Sequence, residues 1–299
     1  MTHRPLVSVL MNCFNGETYL RQAIDSVIAQ TYENWEIIFW DNQSTDGSAE
    51  IVRGYDRDPR IKYFHAPTHT PLYEARNYAF EKSTGDFIAF LDVDDWWAPT
   101  KLAAQVPLFD DSAVGFVAGN YWMENELKGS RRRAHSEPVP TGWVLDDLLG
   151  SYYIGLLTLV VRRSAVTELE YVCDPRYSII GDFDLVVRLA TRWKLAYVQQ
   201  SVAHYRLHDG NLQRTRRARH VEELETWLGG PGSSAPVCSS PGLDGLRAEV
   251  GYMKALNRVI DGDRWGAFRL SRRLPIGRFR ARLWAAMLLP EIVVRWLKN

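Results

Sequence analysis

Three short and nearly continuous apolar runs in the first third of the chain, Leu6 to Met11, Glu36 to Trp40 and Asp86 to Leu91, each stop at a cluster of Asn and Asp. Runs of this length without an alternating pattern read as strands buried on both faces, the situation of a parallel sheet covered by helices. The segments between them have helical spacing. Glu17 to Gln30 puts Leu20, Ile24, Val27 and Ile28 on one stripe, with Asn15 as its N-cap. A helix is expected after Gly47 through about Tyr55, a short strand near Tyr63 and a helix from about Leu72 to Lys82. This βαβα order predicts an α/β fold with a mainly parallel central sheet flanked by helices. Parallel sheets bind ligands beyond the carboxyl ends of their strands. The clusters Asn12 to Asn15, Asp41 to Asp46 and Asp92 to Asp95 all fall there, which points to a nucleotide site.

The rest of the chain is less regular. Lys128 to Pro140 holds Arg131, Arg132 and Arg133 with two prolines and reads as a mobile surface loop. Asp182 to Trp193 reads as a helix with Leu185, Val186 and Leu189 inward, and Leu195 to Gln200 as the strand after it. Leu228 to Gly245, dense in Gly, Ser and Pro, reads as a flexible linker, and Leu246 to Asn299 as helical. The expected organisation is a catalytic domain over 1–215, with a nucleotide-binding half over about 1–97 and an acceptor half over 98–215. A linker and helical extension over 216–299 follow.

Lys+Arg and Asp+Glu both number 36, so no bulk field draws the chain toward nucleic acid. Cys13, Cys173 and Cys238 are scattered and odd in number, which suits a reducing cytoplasm. The longest apolar stretch, Leu283 to Val294, is broken by Pro290 and Glu291 and is too short to span a bilayer.

Asp92-Val93-Asp94 follows an apolar strand, so the outer carboxylates can point into one cleft, where they repel unless a cation lies between them. Hard oxygen ligands suit Mg²⁺ or Mn²⁺. A calcium loop is excluded, because Trp97 stands at its obligatory Gly and Ala103 at its closing Glu. A dehalogenase-type phosphotransferase usually has Thr or Val where this chain has Trp96. Taken alone, the triplet has a second reading, a solvated turn capping the next helix.

Several motifs occur together and in order: Val7-Ser8-Val9 through Phe14-Asn15, Leu20 with AIDSVIAQTY (Ala23 to Tyr32), Trp40-Asp41-Asn42-Gln43-Ser44-Thr45-Asp46-Gly47-Ser48, Ala75-Arg76-Asn77, and GDFIAFLDVDD (Gly85 to Asp95). Over about Pro5 to His208 the chain resembles the family 2 glycosyltransferases of the GT-A fold. The resemblance implies a metal-dependent, inverting transfer of sugar from a nucleotide sugar, a UDP-sugar, to an acceptor hydroxyl. It implies that Asp41 recognises the base with Arg76 nearby, and that Asp92 binds the ribose. Asp94, with Asp92, would bind Mn²⁺ or Mg²⁺ on the diphosphate. Asn15 joins these residues at the donor site, and Asp46 and Asp95 take turn and cap roles. Ile180-Gly181-Asp182-Phe183-Asp184-Leu185 is similar to the family's acidic motif, with Asp182 in the position of the catalytic base and Asp184 as its rival. Tyr205-Arg206-Leu207-His208 is similar to its YRxH element, which implies Arg206 as a phosphate partner and His208 as a metal ligand or donor to the leaving phosphate.

The chain departs from the pattern at three points: Asn12 stands for a common Pro, Asn42 for a second Asp and Gly181 for a frequent Glu. The QxxRW motif of processive members is missing, so one sugar per encounter is expected. The expected acceptor is a saccharide or lipid-linked saccharide of a bacterial surface polysaccharide or glycoconjugate. A nucleotidyltransferase and a non-catalytic sugar-nucleotide-binding module are the alternatives; the first usually opens with a Gly-rich phosphate loop, where this chain has Asn12-Cys13-Phe14-Asn15-Gly16. The stretch from Arg272 to Trp296 mixes arginines with Trp284, Leu288, Ile292 and Trp296. It reads either as a peripheral contact with an anionic membrane or as a helix packed on the catalytic domain.

Overall fold

The computed structural model describes residues 4–126, 128–208 and 216–289. The chain divides into two compact units, one built from Met1–Val144 and Tyr153–His208, the other from Leu145–Tyr152 and Asp209–Asn299.

The first unit carries a sheet that has nine strands among the described residues. Strands β1 (Val7–Cys13), β2 (Trp35–Asp41), β3 (Ile61–His65) and β4 (Phe87–Phe90) run parallel in the order β3-β2-β1-β4. Every residue of β1, β2 and β4 is buried, which is why those runs are apolar without alternation. Helices α1 (Glu17–Ile28), α2 (Ser48–Arg53) and α3 (Leu72–Lys82) connect them. Leu20, Ala23, Ile24 and Val27 face the core from α1, whereas Ile28, expected on the same stripe, is 37% exposed at the helix end.

After the two-residue β5 (Trp96–Trp97) and α4 (Lys101–Gln105), β6 (Val114–Asn125) and β7 (Ser130–Arg133) form an antiparallel hairpin. This corrects the expected loop over Lys128 to Pro140 at Ser130–Arg133; residues 134–140 carry neither helix nor strand. Its arginines sit on an edge strand whose backbone pairs with Trp122 to Asn125 and whose side chains are all exposed, and edge strands accept charged residues that an inner strand rejects. Strand β8 (Val160–Arg162) joins β4 to β6 with antiparallel pairing, and β9 (Lys194–Leu207) runs parallel to β6 and antiparallel to β5. Strand β9 therefore continues well past the expected Leu195 to Gln200 and carries Tyr205 and Arg206 within the sheet. Helix α7 (Gly181–Ala190), reached after α5 (Leu145–Gly150) and α6 (Arg163–Thr167), buries Leu185, Val186 and Leu189.

The second unit is helical. Alongside α5 it contains α8 (Arg217–Gly229), α9 (Gly242–Ile260), α10 (Arg264–Ser271) and α11 (Arg278–Leu288). The Leu228 to Gly245 stretch is not an open linker. It folds into two short 3-10 turns, Pro231–Ser233 and Val237–Ser239, with Val237 buried and Gly232 against the Trp227 ring. Its Gly and Pro serve tight turns, a use that composition alone does not distinguish from flexibility.

Candidate active site

The carboxyl ends of β1, β2 and β4 are fastened to one another. Asp46 Oδ2 accepts from the Glu17 backbone N–H at 3.0 Å, and Glu17 Oε2 accepts from the Gly47 N–H at 2.7 Å, so the first turns of α1 and α2 cap each other. Asn15 is not the α1 N-cap. Gly16 holds that place, and the Asn15 backbone lies in the left-handed region at φ 55 while its Oδ1 accepts from the Thr45 N–H at 2.8 Å. Asn tolerates that conformation, and its side chain is thereby turned to the neighbouring loop. Gly16 also brings this loop onto the acidic turn, since a Cβ there would lie 2.6 Å from Val93 Cγ2.

Asp41, at the end of β2, is fully buried. Its Oδ1 accepts from the Ser44 N–H at 2.8 Å and its Oδ2 from the Tyr63 hydroxyl at 2.7 Å. In this conformation the carboxylate fixes the loop, and a base reaches it only where one of those donors yields. Asn42 uses both ends of its amide on the next loop: Nδ2 donates to Thr70 O at 2.7 Å and Oδ1 accepts from the Thr70 N–H at 3.1 Å. An Asp could not make the first bond, which gives this departure from the family pattern a structural reason. Asn12 is buried, and its Nδ2 has no hydrogen-bond partner among the described residues.

The two carboxylates of the acidic triplet take different partners. Asp92 Oδ1 pairs with Arg76 Nη2 at 2.6 Å, and Asp94 Oδ2 lies 3.0 Å from His208 Nε2. The Asp92 and Asp94 side chains stay 38% and 32% exposed, so both remain open to a ligand. Burial, and then the charge of Asp92, push the Asp94 carboxyl above the ordinary carboxylate range, with His208 acting against them. Asp95 turns inward instead, where its Oδ1 accepts from the Arg206 backbone N–H at 2.9 Å and burial raises its carboxyl strongly.

The donor set fits a divalent cation. Asp94 and His208 offer one carboxylate and one imidazole beside a second carboxylate, in a place where negative charge is crowded. Among the described residues no three such side chains converge into a closed cage. An open set of this kind suits a cation whose other positions are filled by substrate oxygens.

Arg206 is held on every side. Its Nε donates to Asp94 O at 2.8 Å, Nη1 pairs with Glu126 and Nη2 with Gln22, and its guanidinium lies between the rings of Tyr19, at 4.1 Å, and Trp96, at 4.6 Å. Tyr19 also donates to Glu126 Oε2 at 2.8 Å. A cavity of about 400 Å³ opens beside it, lined by Trp96, Glu124, Glu126, Arg131 and Arg206. Gln22, Tyr19 and Glu126 were not legible in the sequence, where each is far from Arg206 and in no motif.

Arg76, which a surface helix would leave solvated, is 3% exposed. Burial opposes its charge, but the Asp92 carboxylate outweighs that and holds the guanidinium protonated. It is also the main charge acting on Asp182, so one buried cation serves both acidic groups. Asp182 stands in the first turn of α7, part-exposed, with Oδ1 accepting from the Tyr73 hydroxyl at 3.3 Å. Burial raises its carboxyl above the ordinary range, while Arg76 and the Tyr73 hydroxyl pull it down. Its rival Asp184 is fully buried and paired with Arg188 at 2.8 Å, which leaves it no access to a substrate hydroxyl. Tyr73, missed in the sequence, organises this corner: its one hydroxyl proton is shared between Asp182 Oδ1 and Ile179 O, the latter at 3.0 Å, and its ring lies where a Cβ on residue 181 would be, 2.7 Å away. Gly181 is therefore the residue that fits beneath Tyr73.

The profile of the family described as Glycosyl transferase family 2 matches residues 8–168, more than half of the chain. The chain belongs to glycosyltransferase family 2. It is 36% identical over 170 residues to an uncharacterized glycosyltransferase of Haemophilus influenzae, a match covering 56% of this chain and 66% of that one. It is 34% identical over 208 residues to WfaP of Escherichia coli, named a UDP-Glc:alpha-D-GlcNAc-diphosphoundecaprenol beta-1,3-glucosyltransferase, with 69% of this chain and 79% of WfaP covered. Among solved structures, the mannosyltransferase PcManGT of Pyrobaculum calidifontis, in complex with GDP-Man and Mn²⁺, superposes with a TM-score of 0.65 at 17% identity, covering 99% of this chain and 85% of that one. That likeness shows the fold, the GT-A architecture of a sheet flanked by helices.

Proposed function

We propose that this family 2 glycosyltransferase moves a single hexosyl unit from a nucleoside-diphosphate sugar, a UDP-sugar, to an acceptor hydroxyl with inversion, in the synthesis of a bacterial surface polysaccharide. The observation that carries the reading is the Asp182 corner. One carboxylate of the α7 pair is reachable and held by Tyr73, and its proton affinity is raised; the other is sealed by Arg188. A hydroxyl is a poor nucleophile, so a carboxylate of raised basicity is suited to take its proton as the new bond forms.

In the proposed step Asp182 removes the acceptor O–H proton, and the acceptor oxygen bonds to the anomeric carbon from the face opposite the leaving group. The bond from that carbon to the diphosphate oxygen breaks, and the electron pair leaves with the nucleoside diphosphate. The proton on Asp182 then returns to solvent. A single displacement inverts the anomeric centre. Asp94 and His208 would hold Mn²⁺ or Mg²⁺, which when bound supplies positive charge against the diphosphate. Asp92, anchored by Arg76, is assigned to the ribose. Arg206 is assigned to the diphosphate, with Glu126 as the anion that now occupies its donors. Asn15 and Asp41 shape the base side.

The activity for which WfaP is named supports the donor class and suggests an acceptor sugar on a lipid diphosphate. The test is a product analysis with UDP-glucose, Mn²⁺ and a GlcNAc-diphospholipid analogue. Release of UDP with a β-linked product is expected; release of pyrophosphate or an α-linked product would contradict the reading.

A further inference from the structure

The last two helices of the second unit form a layer with two unlike faces. Arg264 Nη2, at the start of α10, donates to Leu289 O, and Trp284 Nε1 of α11 donates to Ser271 Oγ at the end of α10. These two contacts set α10 and α11 antiparallel. One face of the pair is apolar and closed: Ala267, Leu274 and Leu283 are buried against Ala255, Val259 and Ile260 of α9. By that face the C-terminal helices pack within their own unit, on α9.

Among the described residues of this unit the other face is left exposed, and it is not polar in the ordinary way. Trp265 is 66% exposed, Trp284 46% and Leu288 85%, Ile276 at the turn is 93%, and Trp265 stacks on the half-exposed Phe268 at 5.6 Å. Residues 264–289 hold seven arginines and not one Asp or Glu, in a chain whose basic and acidic residues balance as a whole at 36 each. Among the described residues the unit's ion pairs, Arg219–Glu223, Arg247–Asp244, Lys254–Glu225 and Arg258–Asp263, all lie outside this segment. Arg280 lies over the Trp284 ring at 5.1 Å, so charge and aromatic surface are interleaved and not segregated.

Arg278 acts on the Glu249 carboxyl of α9, and the remaining arginines of the segment have no carboxylate within ion-pair distance among the described residues. Exposed tryptophan is costly against water, and beside arginine it is favoured at the boundary of an anionic bilayer, where rings seat at headgroup depth and guanidinium groups meet phosphates. No described helix is long and apolar enough to cross a membrane. We infer that the outward face of α10 and α11 is an interfacial docking surface for an anionic phospholipid bilayer. The inference is independent of the transfer reaction, because it concerns a surface that binds without substrate.

The full-length chain floated with phosphatidylcholine vesicles, with and without phosphatidylglycerol, tests it. Flotation is expected only with phosphatidylglycerol and is expected to fall at high salt. The variant Arg272→Gln/Arg273→Gln/Arg280→Gln/Arg282→Gln should lower vesicle partition by about tenfold or more, and Trp265→Ser/Phe268→Ser should lower it as well. Both exposed rings can be removed without opening a core, and an unchanged circular dichroism melt confirms this for each preparation. Quenching of tryptophan emission by brominated acyl chains reads the contact in the unsubstituted protein. Absence of flotation or quenching, equal flotation with neutral vesicles, or a dimer dispersed by Trp265→Ser/Phe268→Ser in its place, would overturn the assignment.

Discussion

Replacing Gly181 by alanine puts a methyl carbon 2.7 Å from three atoms of the Tyr73 ring. Carbon atoms rest at about 3.5–4.0 Å, so the ring must withdraw by about 1 Å. It has little room to do so, being 3% exposed and tied through its hydroxyl to Ile179 O. Overpacking of this kind costs about 1–3 kcal/mol, and straining the hydroxyl contact forfeits about 1 kcal/mol more. Alanine returns about 0.5–1 kcal/mol through the helix it begins. The net is a loss of about 1–3 kcal/mol, or roughly 2–5 °C in Tm for a chain of this size. Differential scanning fluorimetry reads that shift, and initial-rate turnover reads the displaced Asp182. Gly229→Ala is the control, since a Cβ there meets nothing within 4 Å, and its Tm should hold. A Gly181→Ala protein with parental Tm and turnover would refute the packing of Tyr73 on residue 181 and with it the explanation of the missing Glu.

Three further outcomes follow from the same geometry. Tyr73→Phe removes a donor that favours ionised Asp182, so its carboxyl rises further; activity that needs the carboxylate is lost as pH falls through that value, and the acidic limb of the kcat/KM profile should move to higher pH, a static limb counting against Asp182 as the base. Asp94→Ala should abolish the Mn²⁺-dependent part of the thermal shift given by UDP, and an undiminished shift would remove Asp94 from the metal site. Lys101 is fully buried, with Gln105 as its hydrogen-bond partner, and burial holds its ammonium well below the ordinary lysine range. The folded protein then binds fewer protons than the unfolded one, so stability should climb by about 1.4 kcal/mol per pH unit between the folded value and the unfolded value near 10.4. Lys101→Met should abolish that climb in denaturant titrations from neutral to alkaline pH, and a parental slope would contradict it.

The strands β1, β2 and β4 were legible because parallel strands are buried on both faces and leave unbroken apolar runs. Helix α3 was legible as well, its ends lying at the expected Leu72 and Lys82. Strand β7 was not, because an edge strand is defined by its backbone ladder to Trp122 to Asn125 and not by its three arginines. The turns over Pro231 to Ser239 were hidden because the ring that organises them, Trp227, lies outside the Gly- and Pro-rich segment. At the candidate site the motifs located Asp92, Asp94, Asp182 and His208, but burial of Arg76 and Asp41 depends on contacts distant in sequence. The same holds for Tyr73, whose reach to Asp182 spans 109 residues, and for Glu126, which meets Arg206 across 80. A single sequence carries periodicity and motif order; it does not carry which distant side chain completes a hydrogen bond.

Asp182→Asn separates binding from chemistry most directly, because it keeps the side chain's shape and removes only its capacity to accept a proton. Isothermal titration with UDP and Mn²⁺, run beside a turnover assay on the same preparation, should give parental affinity with turnover lowered by roughly 10²–10⁴-fold. Turnover near the parental rate, or UDP affinity lost together with turnover, would contradict the assignment of Asp182 as the group that deprotonates the acceptor.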